Sequence, residues 1–280
     1  MTVELFNKAS TDCSKAITVN YSTSFSAAIN LLHADLRGPI YHIYGFVRLA
    51  DEIVDTFHHQ DKPLLLQEFK QQTISALERK ISLNPILNSF QQTVHQYQIQ
   101  HSLIQAFFKS MESDLSKNEY DRQGYEEYIY GSAEVVGLMC LQVFCEGDSN
   151  KFEKLKRGAR ALGAAFQKVN FLRDMRSDFH DLSRMYFPGC NFYNFTFADK
   201  QKIETDIEKD FQSAYESILN LPEKARFGVY VAYKYYYSLF KKIKVLKPQN
   251  VLHTRIRIPD FYKACIVLRA RVKNKLRLIG

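Results

Sequence analysis

The chain has 280 residues, of which 46% are hydrophobic, 14% aromatic and 24% charged, and this balance excludes a disordered or fibrous protein. With only 11 Gly and 7 Pro, it has too few turn residues for a β-sandwich. No stretch approaches the ~18 apolar residues of a membrane span, and the N-terminus lacks the pattern of a signal peptide. Five scattered cysteines without a CxxC pair indicate a reduced, intracellular protein and disfavour a zinc site.

The net charge of +8 is distributed unevenly. Segment 234–280 contains thirteen Lys and Arg against one acid, Asp260, so it carries +12 while the rest of the chain carries −4. Such a basic segment is typical of contact with nucleic acid, an anionic membrane surface or a phosphorylated small molecule, or simply of a solvated helix face. No zinc-finger, nucleic-acid-binding or glycine-rich phosphate-loop pattern accompanies it.

The apolar spacing is helical along the chain, and no alternating strand pattern or Asn-Gly or Asp-Gly hairpin interrupts it. The aromatic-rich segment 181–196 predicts an ordered loop. Because no linker or repeat divides the chain, we expect one all-α domain of about ten helices over residues 1–280. The helices are predicted over 3–18, 21–33, 36–58, 63–81, 86–96, 100–113, 122–146, 149–180, 197–219, 223–246 and 260–277.

The third predicted helix is apolar on most sides, which is typical of a central core helix. Four polar residues nevertheless share one face, at spacings i, i+4, i+7 and i+11: Tyr44, Arg48, Asp51 and Asp55. Two carboxylates one turn apart repel, and burial raises the cost unless a positive charge lies between them. The pattern favours a metal-binding DxxxD; the alternative is a surface stripe in which Arg48 pairs with Asp51 and Glu52.

The helix predicted over 149–180 repeats this pattern, with polar positions on one face of an apolar helix: Gly163, Gln167, Asn170, Asp174 and Asp178. Oxygen ligands without His or Cys at ligand spacing favour a hard cation such as Mg²⁺ over zinc. Magnesium held by few carboxylates usually completes its shell with water and phosphate oxygens. Two acidic boxes facing each other across a cavity therefore predict a diphosphate substrate.

The helix predicted over 122–146 supplies a lining stripe of Tyr130, Ala133 or Glu134, and Gly137. Small residues there allow close approach either by a ligand or by another helix. We expect Glu134 to neighbour an arginine rather than a metal. Four arginines either bind phosphate or balance the carboxylates: Arg48, Arg173, Arg184 and Arg255.

Three segments, 24–55, 128–137 and 163–188, resemble the ordered signatures of the squalene/phytoene synthases, and the similarity covers about residues 15–260. The resemblance implies the all-α isoprenoid synthase fold, with helices around a central cavity, and head-to-head condensation of two allylic diphosphates. Within the family, the pattern is most similar to phytoene synthases. It thus implies 15-cis-phytoene formation from two geranylgeranyl diphosphates for carotenoid synthesis, with two or three Mg²⁺ ions and without NADPH.

The resemblance assigns metal binding to Asp51, Asp55, Asn170, Asp174 and Asp178. The four aspartates, Tyr44 and Arg48 are the expected catalytic residues. Expected substrate contacts, including a flap at residues 21–24, are Tyr21, Ser22, Ser24, Tyr44, Arg48, Tyr130, Gln167, Arg173, Arg184, Tyr186, Tyr237 and Arg255. The chain departs from the family pattern in having Glu52 where a second adjacent aspartate is common, and in one extra residue between Asp178 and Arg184.

The sequence is also compatible with functions of other classes. A squalene or dehydrosqualene synthase would use two C15 diphosphates. A non-catalytic scaffold of the same fold would not need four clustered carboxylates, and a nucleic-acid-binding helical domain would leave both acidic boxes unexplained. We expect prenyl diphosphate substrates, no nucleic acid and no obligate protein partner. The expected location is cytoplasmic, with peripheral contact between the basic segment and the inner, anionic face of a membrane.

Overall fold

The computed structural model describes residues 2–253, 255–276 and 279. Within these residues it contains thirteen α-helices and no strand, only an isolated bridge between Glu119 and Met185, so the predicted all-α class is confirmed. The helices are α1 Val3–Tyr21, α2 Thr23–Ile29, α3 Ala34–Asp55, α4 Lys62–Arg79, α5 Pro85–Gln96, α6 His101–Asp114, α7 Arg122–Ile129, α8 Val135–Cys145, α9 Ser149–Leu182, α10 Phe197–Leu219, α11 Glu223–Lys244, α12 Pro248–His253 and α13 Asp260–Lys275.

Side-chain caps explain why several helices begin where the sequence predicts. The Asp148 carboxylate accepts a hydrogen bond from the Lys151 backbone N–H at 3.0 Å, at the start of α9. At α10, Thr196 and Asp199 form a reciprocal capping box. Such caps satisfy backbone N–H groups that have no partner within the helix, and each is worth about 1 kcal/mol.

Apart from shifts of two or three residues at helix ends, three elements differ from the prediction. Helix α2 is shorter than expected, because the chain leaves it at Asn30 and the His33 N–H bonds to the carbonyl of Lys224 at 2.9 Å. Residues Tyr130–Glu134 form a π-helical segment that divides the predicted helix 122–146 into α7 and α8. The short α12 was not predicted.

A cluster of phenylalanines fixes α3 against its neighbours. Phe46 is fully buried, and its ring stacks on Phe90 of α5 at 3.9 Å between centroids. Phe69 of α4 and Phe107 and Phe108 of α6 surround the same ring. Removing such a side chain typically costs about 3–5 kcal/mol. The opposite face of α3, which carries the polar stripe, is thereby held toward the interior.

One helical stretch, Arg122–Cys145, is long and apolar enough to cross a bilayer by length and composition. However, 61% of its most apolar window is buried within the protein. Core helices pass the same test, so the apolar character of this stretch is explained by its packing against α6 and α9.

Candidate active site

A cavity of about 660 Å³ lies between the helices. Helices α3 and α9 both line it, and both change from apolar to polar along the chain: Ile43 precedes Asp55 on α3, and Leu162 precedes Asp178 on α9. The two helices therefore run in the same direction along the cavity. Their arrangement creates one polar end and one apolar end.

All four aspartates of the two boxes line the polar end. Burial, reinforced by the negative charges of Asp174 and Asp55, raises the pKa of Asp178 to about 8. Burial and the charge of Asp55 likewise raise the pKa of Asp51 to about 8. Since Asp55 on α3 acts on Asp178 on α9, the two boxes face each other, and this end of the cavity strongly favours cations.

Arg48 and Glu52 form an ion pair beside the first box. The Arg48 guanidinium is also 3.9 Å from Asp51 and lies over the ring of Tyr21, 4.4 Å from its centroid. The pairs predicted for a surface stripe thus exist, but they form in the cavity wall. Glu52, which replaces the more common second aspartate, is buried and turned toward Arg48.

The second box has two arginines of its own, and both line the cavity. Arg255 Nε lies 2.9 Å from Asp174 Oδ1, and Arg173 Nε donates to the same oxygen at 3.0 Å. Two guanidinium groups on one carboxylate supply donors that a phosphate group could engage in pairs. The polar end therefore contains both the acids that attract metal ions and the cations that attract phosphate.

Arg184 lies behind the first box rather than in the cavity lining. Its Nη1 donates to Asp55 Oδ1 at 2.8 Å, and its Nη2 donates to the Asp114 carbonyl at 2.7 Å. The extra residue before it closes α9: Ser183 has a left-handed φ of 55°, and the Arg184 N–H bonds to the Asp178 carbonyl at 2.8 Å. This turn directs the arginine toward Asp55 despite the unusual spacing.

Two lining residues in this network, Asp114 and Tyr128, were not predicted from the sequence. The Tyr128 hydroxyl donates to Asp114 Oδ2 at 2.7 Å, and burial raises the pKa of Asp114 to about 7, although Arg184 opposes the shift. The sequence of α6 could have identified Asp114 as buried, because it continues the apolar stripe of Phe107 and Met111 at helical spacing. An acid in such a stripe is unusual enough to predict a buried partner.

An aromatic cluster separates the polar end from the apolar end. The Phe166 ring stacks on Tyr236 at 3.9 Å between centroids, and Phe25 lies 5.6 Å from both Tyr44 and Tyr236. All four side chains line the cavity. Burial raises the pKa of Tyr44 to about 12, so its ring remains neutral at physiological pH. Their π faces offer a dry surface on which a carbocation can be stabilised.

Three lining residues have buried polar atoms without a hydrogen-bond partner among the described residues: Arg48 Nε, Ser132 Oγ and Asn170 Oδ1. The Asn170 oxygen belongs to the predicted metal set, which offers only oxygen donors and so fits Mg²⁺. No three His, Cys, Asp or Glu side chains in the described chain gather closely enough to hold a metal unaided. Metal binding at this end therefore fits a site that phosphate oxygens complete.

Of the other expected contacts, Tyr21, Ser22, Gln167 and Tyr186 line the cavity, whereas Ser24 does not. Tyr237 does not either, because it faces Tyr233 and Phe211, at 5.6 and 5.3 Å between ring centroids. The preceding residue, Tyr236, takes the lining position. One helix position turns a side chain by about 100°, so a single-residue error in alignment selects the wrong ring.

Tyr130 also lies outside the lining, whereas Ala133 and Gly137 of the same predicted stripe line the cavity. The π-helical segment that begins at Tyr130 changes its register relative to them. The Tyr130 ring lies 5.3 Å from the guanidinium carbon of Arg160, which also pairs with Glu134 at 2.5 Å, so the expected arginine neighbour of Glu134 is present. A Cβ on Gly131 would approach the Ala106 carbonyl to 2.6 Å, which shows that this glycine serves helix packing.

Comparison with known proteins agrees with this geometry. The sequence profile of the family described as Squalene/phytoene synthase matches residues 18–262. The 4,4'-diapophytoene synthase of Staphylococcus haemolyticus is 29% identical over 202 residues, covering 69% of this chain and 67% of that protein. The phytoene synthase of Arthrospira platensis is 25% identical over 289 residues, covering 92% of each chain.

Among solved structures, a dehydrosqualene synthase in complex with a ligand superposes with a TM-score of 0.83 at 19% identity, covering 96% of this chain and 98% of that one. At this identity the match shows the fold, which is that of the squalene and dehydrosqualene synthases. Members of the matched family are prenyltransferases that join prenyl diphosphates head to head with the help of divalent metal. The chain therefore belongs to the squalene/phytoene synthase family and is a prenyltransferase.

Proposed function

We propose that the protein is a 15-cis-phytoene synthase, which condenses two geranylgeranyl diphosphates and releases both diphosphates. The observation that carries this proposal is the cavity itself, with two facing aspartate boxes at one end and apolar walls at the other. On α9, the lining residues between Leu155 at the apolar end and Asp178 of the second box span about 35 Å at the helical rise of ~1.5 Å per residue. This length accommodates an extended C20 chain beside its diphosphate.

The reaction proceeds by two ionisations. In the first, the allylic C–O bond of one substrate breaks and diphosphate leaves with the electron pair. The double bond of the second substrate attacks the resulting cation, and loss of a proton closes a cyclopropyl diphosphate. In the second, this intermediate loses its own diphosphate, rearranges, and loses another proton to give the central double bond of phytoene.

The chain's residues divide this work between the two ends of the cavity. Divalent cations, when bound at the aspartate boxes, supply positive charge that stabilises the departing diphosphate. Arg173 and Arg255 are placed to bind phosphate oxygens through paired N–H donors. The aromatic wall of Phe166 and Tyr236 excludes water from the cations and faces them with π electrons.

The Staphylococcus relative, named a 4,4'-diapophytoene synthase, supports a second candidate: a synthase that joins two C15 diphosphates. Both candidates use the same polar end and differ in how much hydrocarbon the apolar end accepts. A C30 enzyme that stops at dehydrosqualene would need no reductant, whereas squalene formation would consume NADPH. A scaffold without activity is disfavoured, because it would leave the facing carboxylates without a role.

The deciding experiment incubates the purified protein with C15 or C20 prenyl diphosphate, with and without Mg²⁺ and NADPH, and identifies products by mass. We expect a C40 hydrocarbon from the C20 substrate, dependent on Mg²⁺ and unchanged by NADPH. A C30 product from the C15 substrate alone would favour the second candidate. No hydrocarbon from either substrate would overturn both.

A further inference from the structure

Helix α13 has two apolar faces, and only one is packed against the protein. Ile266 and Ala270 are buried on the face that packs against α11. The opposite face carries Phe261, Leu268 and Val272, whose exposed fractions are 81, 65 and 53%. With ~3.6 residues per turn, their spacing places them on one line directed away from the protein. Leu276, just after the helix, continues this line and is also exposed.

Exposed cations flank this apolar stripe on both sides. At ~100° per residue, Arg269 lies along one side of the stripe, with Lys273 further round toward the packed face, and Arg271 and Lys275 lie along the other side. None of these four has an Asp or Glu partner within the described part of the chain. This distinguishes them from Lys244 on α11, which pairs with Glu208 at 2.6 Å.

We propose that the outer face of α13 binds an anionic membrane surface, with the stripe of Phe261, Leu268 and Val272 inserted between lipid headgroups. An exposed apolar line bordered by cations is the pattern of a helix that lies in the plane of a bilayer interface. The unpaired cations contact anionic headgroups, while the apolar side chains leave water.

The charges on α13 also favour an anionic membrane over nucleic acid or a second copy of the chain as the binding partner. Nucleic acid would use the cations but would leave the large apolar side chains exposed to water. A second copy of the chain, packed stripe to stripe, would place the two rows of cations against each other, which is unfavourable without bound anions. An anionic bilayer satisfies both the apolar and the charged parts of this face.

The start of α13 lies close to the polar end of the cavity. Lys263 of α13 donates to the Thr23 hydroxyl at 2.7 Å, and the neighbouring Tyr21 and Ser22 line the cavity. Arg255, five residues before α13, lines it as well. Binding through α13 would thus bring the polar end near the lipid surface, where amphiphilic substrates and hydrocarbon products partition.

The proposal is tested with the purified full-length protein and extruded vesicles, measured by flotation. Vesicles of phosphatidylcholine alone are compared with vesicles that also contain phosphatidylglycerol. The L268S/V272S variant removes two of the three residues of the apolar stripe, and the R269Q/R271Q/K273Q/K275Q variant removes the flanking charge. The matched control is I81S/L83S, which replaces two exposed apolar residues in the segment between α4 and α5.

We expect wild-type protein and the I81S/L83S control to bind anionic vesicles and to bind neutral vesicles much less. The L268S/V272S variant should bind anionic vesicles at least about tenfold more weakly. Each neutralised cation should weaken binding to anionic vesicles by about fivefold, with little effect on neutral vesicles. Because the assay uses no prenyl substrate, its result is independent of the proposed catalytic function.

Three results would overturn the proposal: no binding to anionic vesicles, equal binding to neutral and anionic vesicles, or wild-type binding by L268S/V272S. Sedimentation velocity of the same variants distinguishes self-association. If L268S/V272S dissociates a wild-type dimer and leaves vesicle binding unchanged, the stripe is an interface between copies and the membrane proposal is wrong.

Discussion

The two aspartate boxes have the same spacing in the sequence, yet their surroundings differ. The first box is supported from behind, because buried Arg184 connects Asp55 to Asp114. The second box is contacted from within the cavity, where Arg173 and Arg255 approach Asp174. The boxes therefore differ in the buried arginine: Arg184 fixes the first box in position, whereas the arginines at the second box, like Arg48 beside the first, line the cavity and are available to phosphate.

Loss of one carboxylate from either box should have the largest effect. We expect Asp51→Asn and Asp174→Asn each to lower kcat by about 10³-fold or more, because each removes metal-dependent charge stabilisation of the leaving group. Product formation from the C20 diphosphate with Mg²⁺ provides the measurement, and circular dichroism checks that helicity is retained. The exposed Asp181→Asn, one turn beyond Asp178, is the matched control and should keep full activity.

Arginine substitutions should then separate the two boxes. Arg184→Gln leaves buried Asp114 without its charge partner, which should cost about 3 kcal/mol of stability and lower the Tm by roughly 5–10 °C. Arg255→Gln, whose side chain is half exposed, should leave the Tm nearly unchanged but raise the KM for diphosphate substrate about tenfold. If Arg255→Gln lowers the Tm as much as Arg184→Gln does, the proposed difference between the two boxes is wrong.

Protonation should affect both boxes in the same direction. Since the folded-state pKa values of Asp51 and Asp178 are raised to about 8, the metal-free fold binds protons more tightly than the unfolded chain does. These two groups therefore contribute stability at low pH, and this contribution is lost as the pH rises from about 4 through 8. Mg²⁺ with diphosphate replaces the protons, so the ligands should raise the Tm more near pH 8.5 than near pH 6. A gain in Tm that shrinks with rising pH would contradict this.

The smallest expected effect on activity concerns two neighbouring tyrosines. Tyr236 lines the cavity in the stacked aromatic cluster, whereas Tyr237 packs behind it. Tyr236→Phe should lower kcat/KM several-fold, because the hydroxyl lies near Arg173 and Asn170 of the second box. Tyr237→Phe should change it by less than about twofold. Unchanged kcat/KM in Tyr236→Phe would show that the hydroxyl at the polar end has no role.

Much of the fold was predictable, because apolar periodicity and caps act locally. The Asp148 cap and the Thr196–Asp199 box identify helix starts directly. The polar stripes on α3 and α9 were also legible, since side chains one or two turns apart share a face wherever the helix lies. Residue positions that depend on helix register or on tertiary contacts could not be predicted from the sequence. The π-helical segment moved Tyr130 out of the cavity lining, and it carries no clear signal in a single sequence.

The network of Arg184, Asp55 and Asp114 behind the first box could not be predicted either, because it depends on tertiary contacts. Arg184 reaches Asp55 across 129 positions of sequence, and Asp114 enters the same network from a third helix. Helical spacing specifies which residues share a face but not which faces meet. The basic segment shows the same limit: its charge was evident in the sequence, but the unpacked apolar stripe of α13 becomes visible only when the buried face is known.

Both aspartate boxes should contribute to one diphosphate-binding site when divalent ions are bound. Calorimetric titration of inorganic diphosphate into wild-type protein, Asp51→Asn and Asp174→Asn, with and without Mg²⁺, measures this without any prenyl chain. We expect binding only when Mg²⁺ is present, and loss of that binding when either box is altered. Binding that needs no Mg²⁺, or that survives both substitutions, would contradict this expectation.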